Sequence, residues 1–494
     1  MKDINLMIIG IGPHSKRIYI PILNEFKGKY AVNLKLGVDL KEKEKDVTAY
    51  LNREKINLPI FFINAFDVKC DIPIRIKKYL NNFVKKNRIN GVIIATEPLV
   101  HKQYALWAIA NGLNILMDKP ITTRENVAAD IAQAKGIRND YMEILNAYNA
   151  LQKKKKTIFS VNVQRRYHLG CDTVNALIRE VANRFDAPIT SMQLFHSDGQ
   201  WRLPSEIVTQ IYHPYCQGYG GCSHSGYHGF DMVYQYYKSG HVAGKNADTA
   251  EVVSSFVRPR GFIKQFNESD YLKYFGNRYN GVKKWNDTEL NGFYKNYGEI
   301  DAFALVRLLK DGENICNISI NTLHNTSSRR TWLLPGEDLY KGNGRIKHES
   351  HNIQQGPFQS IQIHSYQSND KHDVNNENEY DVGGNNHFDI YVFRNARMFG
   401  PKEKAFRAYT LKDVIKEKKI HSNKLITDYT KRFVVEEFLK FIVGDIKRKD
   451  LKSDIGDQFF PVNVMSAIYQ SHLRHTKKSN PWVTFSLSHD TKRN

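Results

Sequence analysis

The first third of the chain alternates short, continuously apolar runs with amphipathic segments. Ile4 to Ile9 reads as a strand, Ser15 to Phe26 as a helix and Val32 to Val38 as a second strand. Ile60 to Ile63, a helical Ile74 to Lys86, Gly91 to Ala95, a helix over Val100 to Asn111 and the run Leu113 to Met117 continue the alternation. Strands that are apolar on both faces and separated by helices predict a parallel, doubly wound sheet. A long helix is expected over Arg124 to Leu151, with Thr122 or Thr123 as its N-cap. The basic run Lys153 to Lys156 then leads into a strand over Thr157 to Val163, which places a domain boundary between residues 155 and 156.

Beyond that turn the period changes. Ile189 to Phe195, Ala302 to Leu309, Ile315 to Leu323 and Ile361 to Tyr366 alternate apolar and polar positions, as expected of a sheet with one face buried and one available. Two polar stretches, 238–299 and 340–386, read as insertions, and the Asn/Asp/Gly-rich 369–386 as an exposed loop. Helices over Phe433 to Phe441 and Val462 to His475 close the chain. The expected fold class is an α/β Rossmann domain over 1–155 followed by an α+β domain over 156–494.

Length agrees with two domains, because 494 residues exceed what one core usually serves. Hydrophobic residues at 41% and charged residues at 25% exclude disordered and collagen-like classes. Lys and Arg outnumber Asp and Glu by 72 to 51, a net charge of +21 that raises the question of nucleic acid. The basic residues are scattered, without zinc-finger spacing or a ribonucleoprotein aromatic motif, so no nucleic-acid partner is expected. Attraction to a phosphorylated or nucleotide-linked substrate remains compatible with this charge. Five cysteines form no C-x-x-C pair, which points to a reducing, cytoplasmic setting without a disulfide framework. The apolar run Leu6 to Ile11 is too short for a signal peptide and leads directly into glycines. No stretch approaches a membrane span.

Gly10-Ile11-Gly12-Pro13-His14-Ser15 follows the first strand and opens the first helix. One glycine permits the tight turn, the second lets a pyrophosphate approach the backbone, and the helix N-terminus offers N–H groups and a positive dipole. Ser15 stands where a third glycine is usual and is small enough to keep strand and helix close. Asp39 ends the second strand, where a carboxylate can accept hydrogen bonds from ribose hydroxyls, which favours NAD. Lys41 and Lys43 follow closely and leave NADP open.

The segment Val92-Ile93-Ile94-Ala95-Thr96-Glu97-Pro98-Leu99-Val100-His101, and then Ala108 through Asp118-Lys119-Pro120, resembles the glucose-fructose oxidoreductase and inositol dehydrogenase (Gfo/Idh/MocA) family. Gln164-Arg165-Arg166-Tyr167, the element Gly220 to Asp231 and the closing Ala467-Ile468-Tyr469-Gln470-Ser471 resemble further family motifs in the same order. The resemblance implies an NAD(P)-dependent oxidoreductase whose second domain holds a large, mostly antiparallel sheet facing the nicotinamide. It implies that Gly10, Gly12, Pro13, His14, Ser15, Asp39, Thr96, Glu97, Pro98, His101, Asp118, Lys119 and Pro120 border the cofactor, with a cis Lys-Pro bond often found beside the lysine. It implies Lys119 and His228 as catalytic groups, with Arg166, Tyr227, His228 and Asp231 on the substrate side. It also implies a homo-oligomer formed through the open face of the second sheet.

Removing hydride from a secondary alcohol carbon requires its hydroxyl proton to leave. A histidine titrating near neutrality can accept that proton, and a lysine ammonium can stabilise developing alkoxide charge. The bland alternatives are a loop lysine and a packed helix histidine, since Tyr227, Phe230 and Val233 suggest a buried stripe. The chain departs from the family at His224, which replaces the usual Asp four residues before the catalytic histidine. At helical spacing His224 and His228 share a face and could both enter the cleft. Two such histidines can hold a metal, but no third ligand is paired with them, so none is expected. Trp201, Arg202, Arg329, Arg330, His348 and His364 are weaker candidates for the substrate platform. The expected substrate is a sugar, a nucleotide-linked sugar or an inositol-like polyol. Redox-assisted glycoside hydrolysis and a non-catalytic nucleotide-binding regulator are the alternatives.

Overall fold

The computed structural model describes residues 3–328, 345–368, 379–418 and 425–487. The first domain contains a six-stranded sheet in the order β3-β2-β1-β4-β5-β6, formed by β1 (Ile4–Ile9), β2 (Val32–Leu40), β3 (Ile60–Ile63), β4 (Gly91–Ile94), β5 (Asn114–Met117) and β6 (Phe159–Val161). Every pairing in it is parallel. The order reverses at β1, so a crevice opens at the carboxyl ends of β1 and β4, where open α/β sheets bind ligands.

The second sheet has nine strands: β7 (Ser191–Gln200), β8 (Thr249–Val257), β9 (Asp301–Lys310), β10 (Glu313–Asn325), β11 (Lys347–Gln355), β12 (Gln359–Gln367), β13 (Asp389–Arg394), β14 (Phe406–Thr410) and β15 (Val483–Ser486). Their order is β14-β13-β12-β11-β7-β10-β9-β8-β15. Only β7 and β10 run parallel; the remaining pairs are antiparallel. The expected fold class is therefore borne out.

Several boundaries need correction. The strand placed after the Lys-rich turn, β6, pairs with β5 and completes the parallel sheet of the first domain. The long helix spans Ile131–Gln152, not Arg124 to Leu151, and its N-cap is Asp130, whose carboxylate accepts from the Ala132 N–H at 2.7 Å. Thr122 and Thr123 are buried in the preceding loop, and Thr123 meets the Ser223 hydroxyl at 3.1 Å. Of the two expected insertions, 238–299 contains β8, and the extra material lies mainly in four short helices between Pro259 and Phe293. The stretch 340–386 holds β11 and the whole of β12 within the main sheet, while 340–344 and 369–378 lie outside the described residues.

Late elements return to the first domain. Val434, Val435, Phe438, Leu439 and Ile442 of the helix Ile426–Val443 share an apolar cluster with Ile4, Leu6 and Ile8 of β1. The helix Phe459–Thr476 is buried over almost its whole length and joins both domains. Its Ser466 hydroxyl donates to the Ala134 carbonyl at 2.8 Å, and its Ile468 carbonyl accepts from the Ser254 hydroxyl at 2.6 Å. No helix among the described residues is long and apolar enough to cross a membrane.

Candidate active site

The turn after β1 forms the first wall of a cleft. Gly10 has φ +90°, and a Cβ there would lie 2.5 Å from the Ala95 carbonyl oxygen, so both conformation and space require glycine. Gly12 would meet nothing within 4 Å, leaving its flank open to a ligand. Ser15 is buried and donates to the Gly10 carbonyl at 2.6 Å, which holds strand and helix together in place of the missing third glycine. Asp39 accepts from the Ile11 N–H and from its own neighbour Leu40, both at 2.7 Å. Burial raises its pKa and these two donors oppose the rise. Each carboxylate oxygen still has a second lone pair for a ribose hydroxyl. A glycine turn with an open flank, a helix N-terminus and a carboxylate at the end of the second strand fit a dinucleotide.

Other residues assigned to the cofactor side divide into two groups. Thr96, Glu97 and Pro98 lie in the turn after β4, and the buried Thr96 Oγ1 has no hydrogen-bond partner. Burial lifts Glu97 to about 7, against the opposing influences of the Tyr219 hydroxyl and Lys119. His101 is fully buried, with Nδ1 2.8 Å from the Pro120 carbonyl and Nε2 3.0 Å from the Thr96 carbonyl, so it ties the two turns together from behind. Asp118 is likewise turned inward. It accepts from the Tyr19 hydroxyl and from Asn162 Nδ2 at 3.1 Å, with His14 3.8 Å away.

Lys119 precedes a cis bond to Pro120 and crosses to the second domain, where its Nζ donates to the His224 carbonyl at 2.6 Å. Burial lowers it to about 8, although Asp118 and Asp198 pull the other way. His224 is the N-cap of the helix Ser225–Ser239, with φ −137° and ψ −84°, and so lies just outside the helix that carries His228. Its ring stacks on His213 at 4.4 Å, and burial brings its pKa to about 3. His228 faces Gln164 Nε2 at 3.4 Å through Nε2, and its Nδ1 has no partner. Burial, with Lys119, Arg165, Lys347 and Lys431 nearby, holds the imidazole well below its usual range. A histidine titrating near neutrality is therefore not what this environment provides in the absence of a ligand.

The second wall is the inner face of the antiparallel sheet, whose character changes along the strands. Ile318, Met192 and Ile353 form one cross-strand row, followed by Ile320, Leu194 and His351, and then Thr322, His196 and Glu349. Alternation continues this face to His324, Asp198 and Lys347. Asp198 accepts from the Ser225 hydroxyl at 2.7 Å and lies 3.1 Å from Arg345 Nη2, 3.3 Å from His196 and 3.6 Å from His324. Burial would raise its pKa, but the His196 hydrogen bond and the charges of His196, His324 and Arg345 outweigh burial and hold it well below the carboxylate range. The fixed negative charge missing at position 224 is thus present in Asp198, one strand away and next to Ser225.

The remaining candidates are engaged elsewhere. Arg166 and Asp231 form a buried ion pair, with Nε 2.9 and 3.1 Å from the two carboxylate oxygens, and Arg166 also reaches the Lys452 carbonyl at 2.7 Å. Tyr227 is buried and donates to Gln458 at 2.8 Å. All three, with their partners Lys452 and Gln458, belong to the second domain. Trp201 packs on Tyr271 and Phe275, and Arg202 Nε donates to Gln200 at 3.0 Å. His348 and His364 lie 3.5 Å apart on the alternate, outer face. Arg329 and Arg330 lie outside the described residues. Sequence reasoning missed Asp198, His196, His324 and Lys347, although the alternation His196-Ser197-Asp198 and Thr322-Leu323-His324 marks a polar end to otherwise apolar inner faces. Among the described residues no group of three or more His, Cys, Asp or Glu is arranged to hold a metal ion.

Residues 4–138 match the GFO_IDH_MocA family, an oxidoreductase family with an NAD-binding Rossmann fold. The fold is shared with levoglucosan dehydrogenase in complex with NADH and L-sorbose, at 14% identity and a TM-score of 0.59, covering 98% of this chain and 99% of that one. It is also shared with an oxidoreductase from Agrobacterium radiobacter in complex with NAD+, L-tartaric acid and magnesium, at 10% identity and a TM-score of 0.56, covering 98% of each chain. The WlbA dehydrogenase from Bordetella pertussis, in complex with NADH and UDP-GlcNAcA, has 11% identity and a TM-score of 0.54, again covering 98% of each chain. No curated protein matches the sequence significantly. The resemblance read from the motifs is borne out over residues 4–138, which match an oxidoreductase family with an NAD-binding Rossmann fold.

Proposed function

We propose that the protein transfers a hydride between NAD and a hydroxyl-bearing carbon of a sugar-like polyol. The observation that carries this reading is the reach of Lys119 from the cofactor-side turn to the His224 carbonyl, at the mouth of the helix bearing His228. Bound NAD supplies the hydride acceptor or donor. The Gly10–Ser15 turn and Asp39 hold the dinucleotide. Lys119 places an ammonium where the substrate oxygen gains negative charge. His228 accepts the hydroxyl proton at Nε2, whose lone pair faces the Gln164 amide N–H in the free protein. Asp198, through Ser225, steadies the turn in which His224 replaces the family's Asp.

Sugar-bearing relatives of the same fold support the choice of substrate class, since levoglucosan dehydrogenase is known with both L-sorbose and levoglucosan. The test is absorbance of reduced nicotinamide when the purified chain meets NAD and a panel of aldoses, uronates, sugar phosphates and inositols. NADH formation with one class is the expected result. Retained NAD binding with no turnover across the panel overturns the proposal.

A further inference from the structure

Among the described residues, the cationic groups around His228 are paired except at two positions. Arg165 is paired with Glu349, Arg345 with Asp198 at 3.1 Å, and Lys431 with Asp428 at 2.6 Å. Lys119 has only a carbonyl partner. Lys347 makes no hydrogen bond or ion pair among the described residues. Its place in β11 is two residues from Glu349 and four from His351, so all three side chains leave the same, inward face of the sheet. Glu349 holds Arg165, which brings that guanidinium to the same patch.

A half-buried ammonium without a direct ion-pair partner is unfavourable in the free protein, and a ligand that supplies one relieves it. Lys119 is already accounted for by the oxygen of the reacting alcohol. Lys347 is not. We infer that the ligand seated on the sheet wall carries an oxyanion, a carboxylate or a phosphate, gripped by Lys347 with Arg165 beside it. This rests on the oxidoreductase reading for the ligand's being a sugar, but the charge argument stands on the wall itself.

Two further observations agree. The net charge of +21 steers anions toward the protein. Burial and the surrounding cations depress both Lys347, to about 7, and His228. An oxyanion between Lys347 and Arg165 offsets part of the positive field on His228 and returns it toward the range in which an imidazole carries a proton.

The test is titration calorimetry of the full chain with NADH bound, using glucose, glucuronate, glucose 6-phosphate and inorganic phosphate as probes. At least one charged sugar is expected to bind about tenfold or more tightly than glucose. Whether glucuronate or glucose 6-phosphate shows the preference identifies the oxyanion as carboxylate or phosphate, and inorganic phosphate is expected to compete. Lys347→Met should reduce the preference to about threefold or less with NADH affinity unchanged, and Lys347→Arg should restore it. Failure of all three charged probes to bind, glucose binding as tightly as both charged sugars, or an unchanged preference in Lys347→Met each overturns the inference. Nicotinamide absorbance on the same samples reports the activity separately. Selective anion binding without hydride transfer removes the activity and leaves the anion subsite.

Discussion

The two walls of the cleft differ in what holds them. The Rossmann wall presents mainly backbone: a glycine that cannot be anything else, a second glycine that leaves space, and a carboxylate that pins the turn through the Ile11 N–H. The sheet wall instead presents side chains, set at alternate positions of β7, β10 and β11 and drawn from residues 196 to 351. The first wall is a fixed mould for a common cofactor. The second keeps its scaffold apolar at one end of each strand and varies the polar end, which is how a shared fold acquires its own substrate.

If this contrast is correct, the most damaging substitution lies in neither wall but in the buried pair behind them. Arg166→Ala leaves Asp231 uncompensated in the interior and should cost about 3–5 kcal/mol of stability, read by denaturant unfolding. A folded, equally stable variant with impaired sugar binding would instead return Arg166 to the substrate side. Next comes the group that spans the walls. Lys119→Ala should lower turnover by roughly a hundredfold while NADH binding stays nearly normal. Since Lys119 titrates near 8, its ammonium is present below that pH and lost above it. The activity should therefore fall as pH rises through that region, and the residual activity of Lys119→Arg should not.

Asp198→Asn tests the sheet wall by removing the charge that faces Ser225, His196, His324 and Arg345. A loss of about tenfold in kcat/KM is expected, equivalent to about 1.4 kcal/mol. Asp39→Ala tests the Rossmann wall. It should weaken NAD by about 1 kcal/mol more than NADP, because a carboxylate accepts from ribose hydroxyls and repels a 2′-phosphate. Equal losses in calorimetry would confine Asp39 to bracing the turn. The smallest effect belongs to Glu97, which burial raises to about 7 and which is partly protonated at neutral pH. Glu97→Gln should change kcat by less than about threefold; a larger drop would assign its negative charge a part in the chemistry.

The sequence by itself determined the parallel sheet, the glycine turn, Asp39 and the Lys119-Pro120 turn. Each depends on local spacing: continuous apolar runs bury both faces of a strand, and a tight turn against a neighbouring backbone admits only glycine. It misplaced β11 for the same reason. Lys347-His348-Glu349-Ser350-His351 carries too many polar residues to read as a strand in a core sheet, yet it is polar because its inner face forms the cleft. Arg166, Tyr227 and Asp231, expected on the substrate side from their place in a motif, each have a buried partner that the motif does not reveal: Arg166 and Asp231 pair with each other and Tyr227 with Gln458. Only the tertiary structure decided that Asp198 stands beside the helix whose N-cap is His224, that His101 and Asp118 face inward, and that Lys347 has no hydrogen-bond or ion-pair partner among the described residues. Strand pairing and helix docking bring together residues more than a hundred positions apart, and no local periodicity encodes which of them will meet.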